Sequence, residues 1–402
     1  MSTGSEQLTR HVRRLRPSSL WPLLAVALAI AGVAVIAVVR DGTSDGASAS
    51  RPDLQQVLDQ LVTGPDRVAP GATAYVSGSR GSWVGSAGVA DLRTGAPMPA
   101  DGRMRLESVS KIYTAALILL LAEEGRLSVD DTVEQWLPGM LPYGERITIR
   151  QLLTMRSGLI DNNDLAAHTA SYLADVRDVG LRRKLTALAR RVAAHPTVEV
   201  SPIWWIRWAA WEPLLFEPGT GYHYSNIGYE LLGLIATRAS HTPLGELYRE
   251  RILSPLGLGR TAYDPQGPIS GEHARGYTLA RGEAPVDATG QHAAIGAEGG
   301  IVSDAEETAA FLRALMQGRL LGRPGVEAMR GPNLWLGGQQ TGCAGAAYGW
   351  SGGGNGYKTN VWVDAHGTRV AVLLLNARHG GDGQAYADER AASALGRLYC
   401  AA

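Results

Sequence analysis

The chain has 402 residues, 45% of them apolar and 19% charged, which is enough to bury a substantial core and too apolar for a disordered segment. Lys plus Arg and Asp plus Glu number 38 each, so there is no basic excess to neutralise phosphates, and a nucleic-acid partner is not implied. Fifty glycines without a period exclude collagen-like and repeat architectures, and two Cys with nine scattered His form no metal-ligand motif.

The first element is LWPLLAVALAIAGVAVIAVV, Leu20 to Val39, without a charge. At 1.5 Å per residue a helix of this length spans about 30 Å, the hydrocarbon thickness of a bilayer. Arg10, Arg13, Arg14 and Arg16 precede it, while Arg40 and Asp41 follow. The positive-inside rule then puts residues 1–19 in the cytoplasm as a basic tail, makes 20–39 a single-pass anchor in the lipid bilayer, and exports the rest. The alternative is a signal peptide cut near Ala49, at Ala47-Ser48-Ala49, which exports the same residues in secreted form. A buried core helix is a third reading, disfavoured by the basic flank. Residues 40–52 are small and polar and read as a linker, leaving 53–402 as the folded domain.

Leu54–Val62 reads as a short helix. Gly71–Ser77 and Ser82–Ala90 alternate and are β-rich, so they read as a hairpin closed by Asp91–Gly95. Ser108 to Glu124 is apolar on nearly all sides and stops at Gly125, the pattern of a buried helix. Roughly 126–300 mixes helical segments with Pro/Gly loops. Strands return at Ala346–Ser351, Tyr357–Asp364 and Thr368–Asn376, and a helix near 384–399 ends the chain. Strands at both ends around a helical middle imply an antiparallel sheet built from both termini, with an inserted helical domain. Trp204, Trp208 and Trp211 fall at i, i+4 and i+7, beside Trp205. Such a face packs a core, lines a pocket or dips into a membrane surface.

Three places carry chemistry. In Ser108-Val109-Ser110-Lys111 the serine and lysine share a helix face, so the amine can reach the hydroxyl. Burial should push this lysine down towards the neutral amine that accepts a proton. Only three lysines occur in the chain, Lys111, Lys184 and Lys358, which makes one inside an apolar helix conspicuous, although a structural lysine would read the same. In Tyr224-Ser225-Asn226 a Pro/Gly turn delivers a phenol for proton relay and an amide for holding a carbonyl. The third place, Trp350-Ser351-Gly352-Gly353, becomes legible only beside the other two.

S-x-x-K followed by Y-x-N about 115 residues later resembles the serine β-lactamase and penicillin-binding superfamily. The surrounding LESVSKIYTAALILLLAEEGRLSVDDTVEQWLPG, ITIRQLLTMRSGL, FEPGTGYHYSNIGYELLGLIATRASHTPL and GAEGGIVSDAEETAAFLRALMQGRLL are similar to class C β-lactamase-like serine hydrolases, above all to secreted D-alanyl-D-alanine carboxypeptidases. The resemblance runs from about residue 53 to 400. It implies an α/β (α+β) fold, a five-stranded antiparallel sheet flanked by helices, with an inserted helical domain over roughly 126–300. It implies Ser108 as acylated nucleophile, Lys111 and Tyr224 as proton carriers, and Asn226 as a substrate-orienting group. No metal or organic cofactor is implied. Cys343 and Cys400 match a cysteine pair of this branch; in an oxidising compartment they could form a disulfide, the alternative being two buried thiols.

The third motif departs from the family. Where relatives carry K-T-G or H-x-G on the strand facing the nucleophile, this chain has Trp350-Ser351-Gly352. Trp cannot carry charge or shuttle protons. The Gly353 and Ser108 N–H groups would still make an oxyanion hole. No Arg precedes Cys343 in WLGGQQTGC to hold a substrate carboxylate, and W-x-G is instead like some carboxylesterases of the superfamily. The substrate is therefore expected to be a small-molecule or peptide acyl donor. A peptidoglycan stem peptide or β-lactam is narrowly favoured by the family likeness, an uncharged ester or amide by the third motif, and a non-catalytic acyl-binding sensor is the reading outside enzymology. Two decoys stand nearby. Lys358-Thr359-Asn360 imitates K-T-G one strand too late, and Gly349–Gly353 matches G-x-S-x-G without the helix that a nucleophile elbow requires.

Overall fold

A computed structural model describes residues 50–162, 164, 179–180, 183, 202–266, 269–280, 283–290, 296–330, 337–339, 342–343, 345–354, 356–381 and 383–402. The expected anchor at 20–39, the cleavage site near Ala49 and most of the linker lie outside them. Among the described residues no helix is long and apolar enough to cross a membrane.

The chain opens with α1 (Pro52–Val62) and a hairpin, β1 (Gly71–Gly78) and β2 (Gly81–Asp91), followed by the two-residue β3 (Ala96–Pro97) and β4 (Met104–Arg105). Then come α2 (Ser110–Glu123), α3 (Val133–Trp136), α4 (Ile149–Leu153), α5 (Pro202–Ala209), α6 (Asn226–Ser240), α7 (Leu244–Tyr248) and α8 (Ser254–Leu256). Short strands β5 (Ala262–Tyr263), β6 (Tyr277–Leu279), β7 (Val286–Asp287) and β8 (Ile301–Ser303) lead to α9 (Ala305–Met316) and α10 (Arg323–Met329). The end of the chain is β9 (Gly337–Gln339), β10 (Ala347–Gly354), β11 (Tyr357–Asp364), β12 (Val370–Leu375), β13 (Ala377–His379) and α11 (Gly383–Cys400).

The main sheet has the order β3-β2-β1-β12-β11-β10-β9, antiparallel throughout. Its first and last strands in sequence meet at its centre, where Ala72 lies opposite Leu375. Seven strands replace the expected five. The two extra edge strands are only two and three residues long, too short to show alternation.

Both faces of this sheet are covered, and β12 shows why its sequence, VAVLLL, does not alternate. Ala371, Leu373 and Leu375 join the cluster under α1 and α11, while Val370, Val372 and Leu374 join the larger cluster with α2 and α9. Leu54, Val57, Leu58 and Leu61 supply the buried stripe of α1 at helical spacing. In α2 nothing alternates, because eleven of its fourteen residues are buried. Among the described residues the last helix of the middle region ends at Leu256; β5–β8 follow within the span expected to be helical and, with β4 and β13, form two small three-stranded sheets, β13-β6-β7 and β4-β8-β5. The tryptophan face is split: Trp208 is buried and stacks on Trp205, whereas Trp204 and Trp211 are 49% and 44% exposed. It is not a uniform core stripe: Trp204 is exposed within α5, and Trp211 lies beyond the helix end at Ala209.

Candidate active site

Three elements converge on Ser108. The first is the turn that carries it. β4 pairs with β8, and a 3₁₀ turn, Glu107–Val109, then leads directly into α2. Glu107 enters this turn at φ +51°, in the left-handed region that non-glycine residues rarely adopt. That kink lifts the half-buried Ser108 to the head of an apolar helix.

The second element is the loop before α6. Ser225 caps that helix by accepting from the Gly228 N–H, which sets Tyr224 and Asn226 on either side of the cap. Ser108 Oγ and Tyr224 Oη are hydrogen-bonded at 2.7 Å, and Tyr224 donates to Asn226 Oδ1 at 3.0 Å. Asn226 is held in turn. Its backbone N–H donates to Asp161 at 2.6 Å and its amide donates to Asn162 Oδ1 at 2.9 Å.

The third element is the loop entering β8. Lys111 Nζ donates to Ser108 Oγ at 3.1 Å, to the Glu298 carbonyl at 2.8 Å and to Glu298 Oε2 at 2.8 Å. The ammonium also lies 5.1 Å from the Tyr224 ring centroid and 5.9 Å from that of Tyr229. Ser108, Lys111, Tyr224 and Asn226, spread over 119 positions of sequence, thus share one hydrogen-bonded cluster.

The charge state of Lys111 is not the one expected from its apolar helix. Burial does push the ammonium down, but Glu298 and Tyr224 beside it outweigh that, and the net direction is upward. Burial likewise holds the Tyr224 phenol above its usual range, against the lowering effect of Lys111. Glu298 is fixed from behind by Glu230, a buried residue of α6 whose carboxylate accepts the N–H groups of Gly296, Ala297 and Glu298 at 2.9, 3.3 and 3.4 Å. Burial raises Glu230 to about 8 and Glu107 also to about 8.

β10 closes the site from the sheet side, and its pleat sorts the third motif. Gly352 faces the Ser108 turn: a Cβ there would stand 2.3 Å from the Leu106 carbonyl oxygen and 2.9 Å from the Ser108 amide nitrogen. Trp350 is on the same pleat and packs against the larger core. Ser351, named from sequence as substrate-binding, is on the other face, opposite Asn360, where it lines a cavity of about 370 Å³ under α11. Alternation along a strand forces this, so its hydroxyl is turned away from Ser108. Gly353 lies opposite Lys358 in the β10–β11 pairing. Lys358 sits on that second face, ion-paired with Asp388 at 2.7 Å, and does not reach Ser108. Cys343 and Cys400 are disulfide-bonded with a Cα–Cα separation of 5.7 Å, tying the approach to β10 to the end of α11.

Sequence reading missed Glu298, Glu107 and Asp161. An acidic residue in a glycine-rich loop is unremarkable, and nothing in GAEGG announces a partner 187 positions away. Glu107, next to a motif serine and ahead of an apolar helix, could have been questioned.

Residues 54–396 match the family model "Beta-lactamase". Penicillin-binding protein 4* of Bacillus subtilis is 31% identical over 183 residues, which is 44% of this chain and 34% of that protein. Esterase EstB of Burkholderia gladioli is 31% identical over 182 residues, 42% of this chain and 41% of that one. The matched regions thus span about two fifths or less of these two relatives' length. Among solved structures, a D-stereospecific amidohydrolase from Streptomyces sp. superposes with a TM-score of 0.68 at 26% identity, covering 85% of this chain and 98% of that one. The chain belongs to the Beta-lactamase family, within a superfamily of serine hydrolases.

Proposed function

We propose that this protein is a serine hydrolase that forms an acyl-enzyme at Ser108 from an ester or amide lacking a carboxylate beside the scissile bond. Ser108 Oγ attacks the acyl carbon, Lys111 and Tyr224 carry the proton, and the N–H groups of Ser108 and Gly353 hold the oxyanion. Asn226 orients the acyl group. Water then releases it by the reverse relay.

The observation that carries the substrate class is Trp350. It occupies the pleat position facing the Ser108 turn, two residues before Gly352, where a substrate carboxylate would need a cation. An uncharged side chain at this position disfavours a leaving group that carries a carboxylate. A D-alanyl-D-alanine carboxypeptidase is the second reading, supported by the likeness to penicillin-binding protein 4*. The uncharged run 20–39 behind its arginines supports a membrane-anchored, extracytoplasmic placement.

The test compares wild type with Ser108→Ala on a p-nitrophenyl ester, a D-amino acid anilide, a diacyl-Lys-D-Ala-D-Ala peptide and a fluorescent penicillin. Turnover of the ester or anilide, lost in the variant, supports the first reading. Release of D-Ala or formation of a penicillin adduct moves the protein to the second. No turnover and no adduct with any of the four leaves a non-catalytic binder.

A further inference from the structure

Glu298 has no part in the chemistry described so far, and it is the carboxylate in direct contact with the nucleophile's lysine. Its loop is built to hold it there. The Glu230 carboxylate gathers three successive N–H groups of residues 296–298, and a Cβ at Gly296 would stand 2.1 Å from Glu230 Oε2, so only glycine lets the loop close on it. Thr114, one turn beyond Lys111 on α2, donates to the Ala297 carbonyl from the other side. The Glu298 side chain then leaves this clamp with one edge exposed to the cleft and Oε2 on Lys111 Nζ.

We propose that Glu298 acts through Lys111 as the charge-holding partner of the nucleophile, so that the relay runs Ser108–Lys111–Glu298. This rests on the acyl-enzyme reading above. An ammonium that donates to Ser108 cannot by itself accept the serine's proton, and a buried phenol beside it is a poor reservoir of phenolate. A carboxylate on the ammonium's far side removes the difficulty. As Oγ bonds to the acyl carbon and the carbonyl electron pair moves to oxygen, the Ser108 proton passes to Nζ while an Nζ proton passes to Glu298 Oε2. Lys111 remains an ammonium throughout, and the carboxylate charge is what disappears. On collapse, the bond to the leaving group breaks with its electron pair, and the leaving group takes the Tyr224 proton. Tyr224 is refilled from Lys111, with which it is also hydrogen-bonded, and Lys111 from Glu298. Protons and charge balance over the half-reaction. Deacylation repeats it with water in place of the leaving group.

Other titratable groups face this pair. Glu107 comes from the nucleophile turn, Tyr224 from the loop before α6, Tyr229 and Glu230 from α6, and Tyr263 from β5. A changed rate alone would therefore not identify Glu298; a moved pH limb does.

The experiment follows the rate of fluorophosphonate labelling, and of the p-nitrophenyl ester burst, from pH 4 to 10 in the full chain for wild type, Glu298→Gln and Glu298→Asp. In the glutamine variant, labelling at neutral pH should fall about 10- to 100-fold. Its acid limb should move up by at least about one pH unit, since Lys111, freed from its carboxylate, must now lose a proton before it can act. The aspartate variant should restore the wild-type limb in part, and it covers the case in which glutamine disturbs folding. KM for the ester should change little. A wild-type limb in both variants, whether or not the rate falls, overturns the inference, because a purely structural Glu298 would lower rate without moving the profile. A wild type that is not labelled overturns the Ser108 reading itself, and the two failures are thereby distinguished.

Discussion

Gly352 and Ser108 approach so closely that a Cβ on the glycine would lie 2.9 Å from the serine's amide nitrogen and 2.3 Å from the Leu106 carbonyl oxygen. The strand carrying the third motif is thus pressed backbone to backbone against the Ser108 turn, with Gly353 the next residue along it. Glycine at 352 is a geometric requirement of that approach. Gly352→Ala should push β10 away from the turn, cost about 1–3 kcal/mol of stability, and lower acylation at least about 100-fold by spoiling the oxyanion position. Urea denaturation and the fluorophosphonate labelling rate check the two effects. Unchanged labelling would mean that β10 does not supply the second oxyanion donor.

Tyr224 makes the shorter of the two polar contacts described for Ser108 Oγ, 2.7 Å, and is steadied by Asn226 at 3.0 Å. Tyr224→Phe keeps the ring and its contact with Lys111 but removes the relay oxygen. We expect kcat for ester hydrolysis to fall by about 10²–10⁴, with KM within a few-fold of wild type. A fall in kcat below tenfold would move the relay to Lys111 alone.

The parts of this site that a linear reading reveals are those whose chemistry is written in one short stretch. Ser108 and Lys111 share a helix turn, and Tyr224-Ser225-Asn226 straddles a helix cap, so spacing and local structure suffice. The two-faced sheet was partly legible for the same reason: β1, β2 and β10–β12 are long enough to show a pattern. Glu298 was invisible because its role is created by Glu230, 68 positions earlier, clamping a loop whose composition is ordinary. The state of Lys111 failed with it, since the sequence displays the burial and hides the carboxylate. Ser351 failed through the pleat. A motif read as three consecutive residues lies on two faces of a strand, and the middle side chain must point away.

Lys358 is the sharpest control on the third motif, because by sequence it imitates the family lysine. It lies on the opposite face of the sheet with Asp388, and burial lowers its ammonium against that partner's pull. Lys358→Met should leave the labelling rate of Ser108 within about twofold. Its cost should appear in stability instead, at about 1 kcal/mol or less, because the partly exposed Asp388 keeps Arg378 at 3.2 Å and Gln384 at 2.6 Å. Loss of labelling in a folded variant would return Lys358 to the active site.

Glu107 gives the fold a pH dependence whose sign is set by burial. Burial raises its carboxyl from an ordinary 4.5 to about 8, so the folded chain holds this proton more tightly than the unfolded chain does. The resulting stabilisation is fully present below about pH 4.5 and is lost as pH rises through about 8. Glu230 contributes with the same sign over the same window. Wild-type stability should therefore decline by a few kcal/mol across this range, and Glu107→Gln should reduce the slope while Glu107→Gln/Glu230→Gln nearly removes it. Urea midpoints at half-unit pH steps decide it. A slope in the double variant equal to wild type would place the titrating groups elsewhere.

If Trp350 sets which acyl donors the cleft accepts, as proposed above, its replacement separates chemistry from selectivity. The residue stands on the pleat that faces the Ser108 turn, packed against the core, at the position that the motif resemblance gives to a lysine or histidine. Trp350→His would introduce a side chain able to carry charge and donate towards a substrate carboxylate. We expect penicillin acylation of Ser108 to rise at least about tenfold in this variant, most at mildly acid pH where the imidazole is protonated. Ester turnover should fall modestly, and the smaller ring should cost about 1–3 kcal/mol by leaving part of the indole volume empty. The ratio of penicillin to ester acylation is the informative quantity, because a general loss of folding or of the Ser108–Lys111 machinery would lower both together. A ratio that does not change would show that this position has no contact with the carboxylate end of a substrate, and would overturn the substrate class read from Trp350.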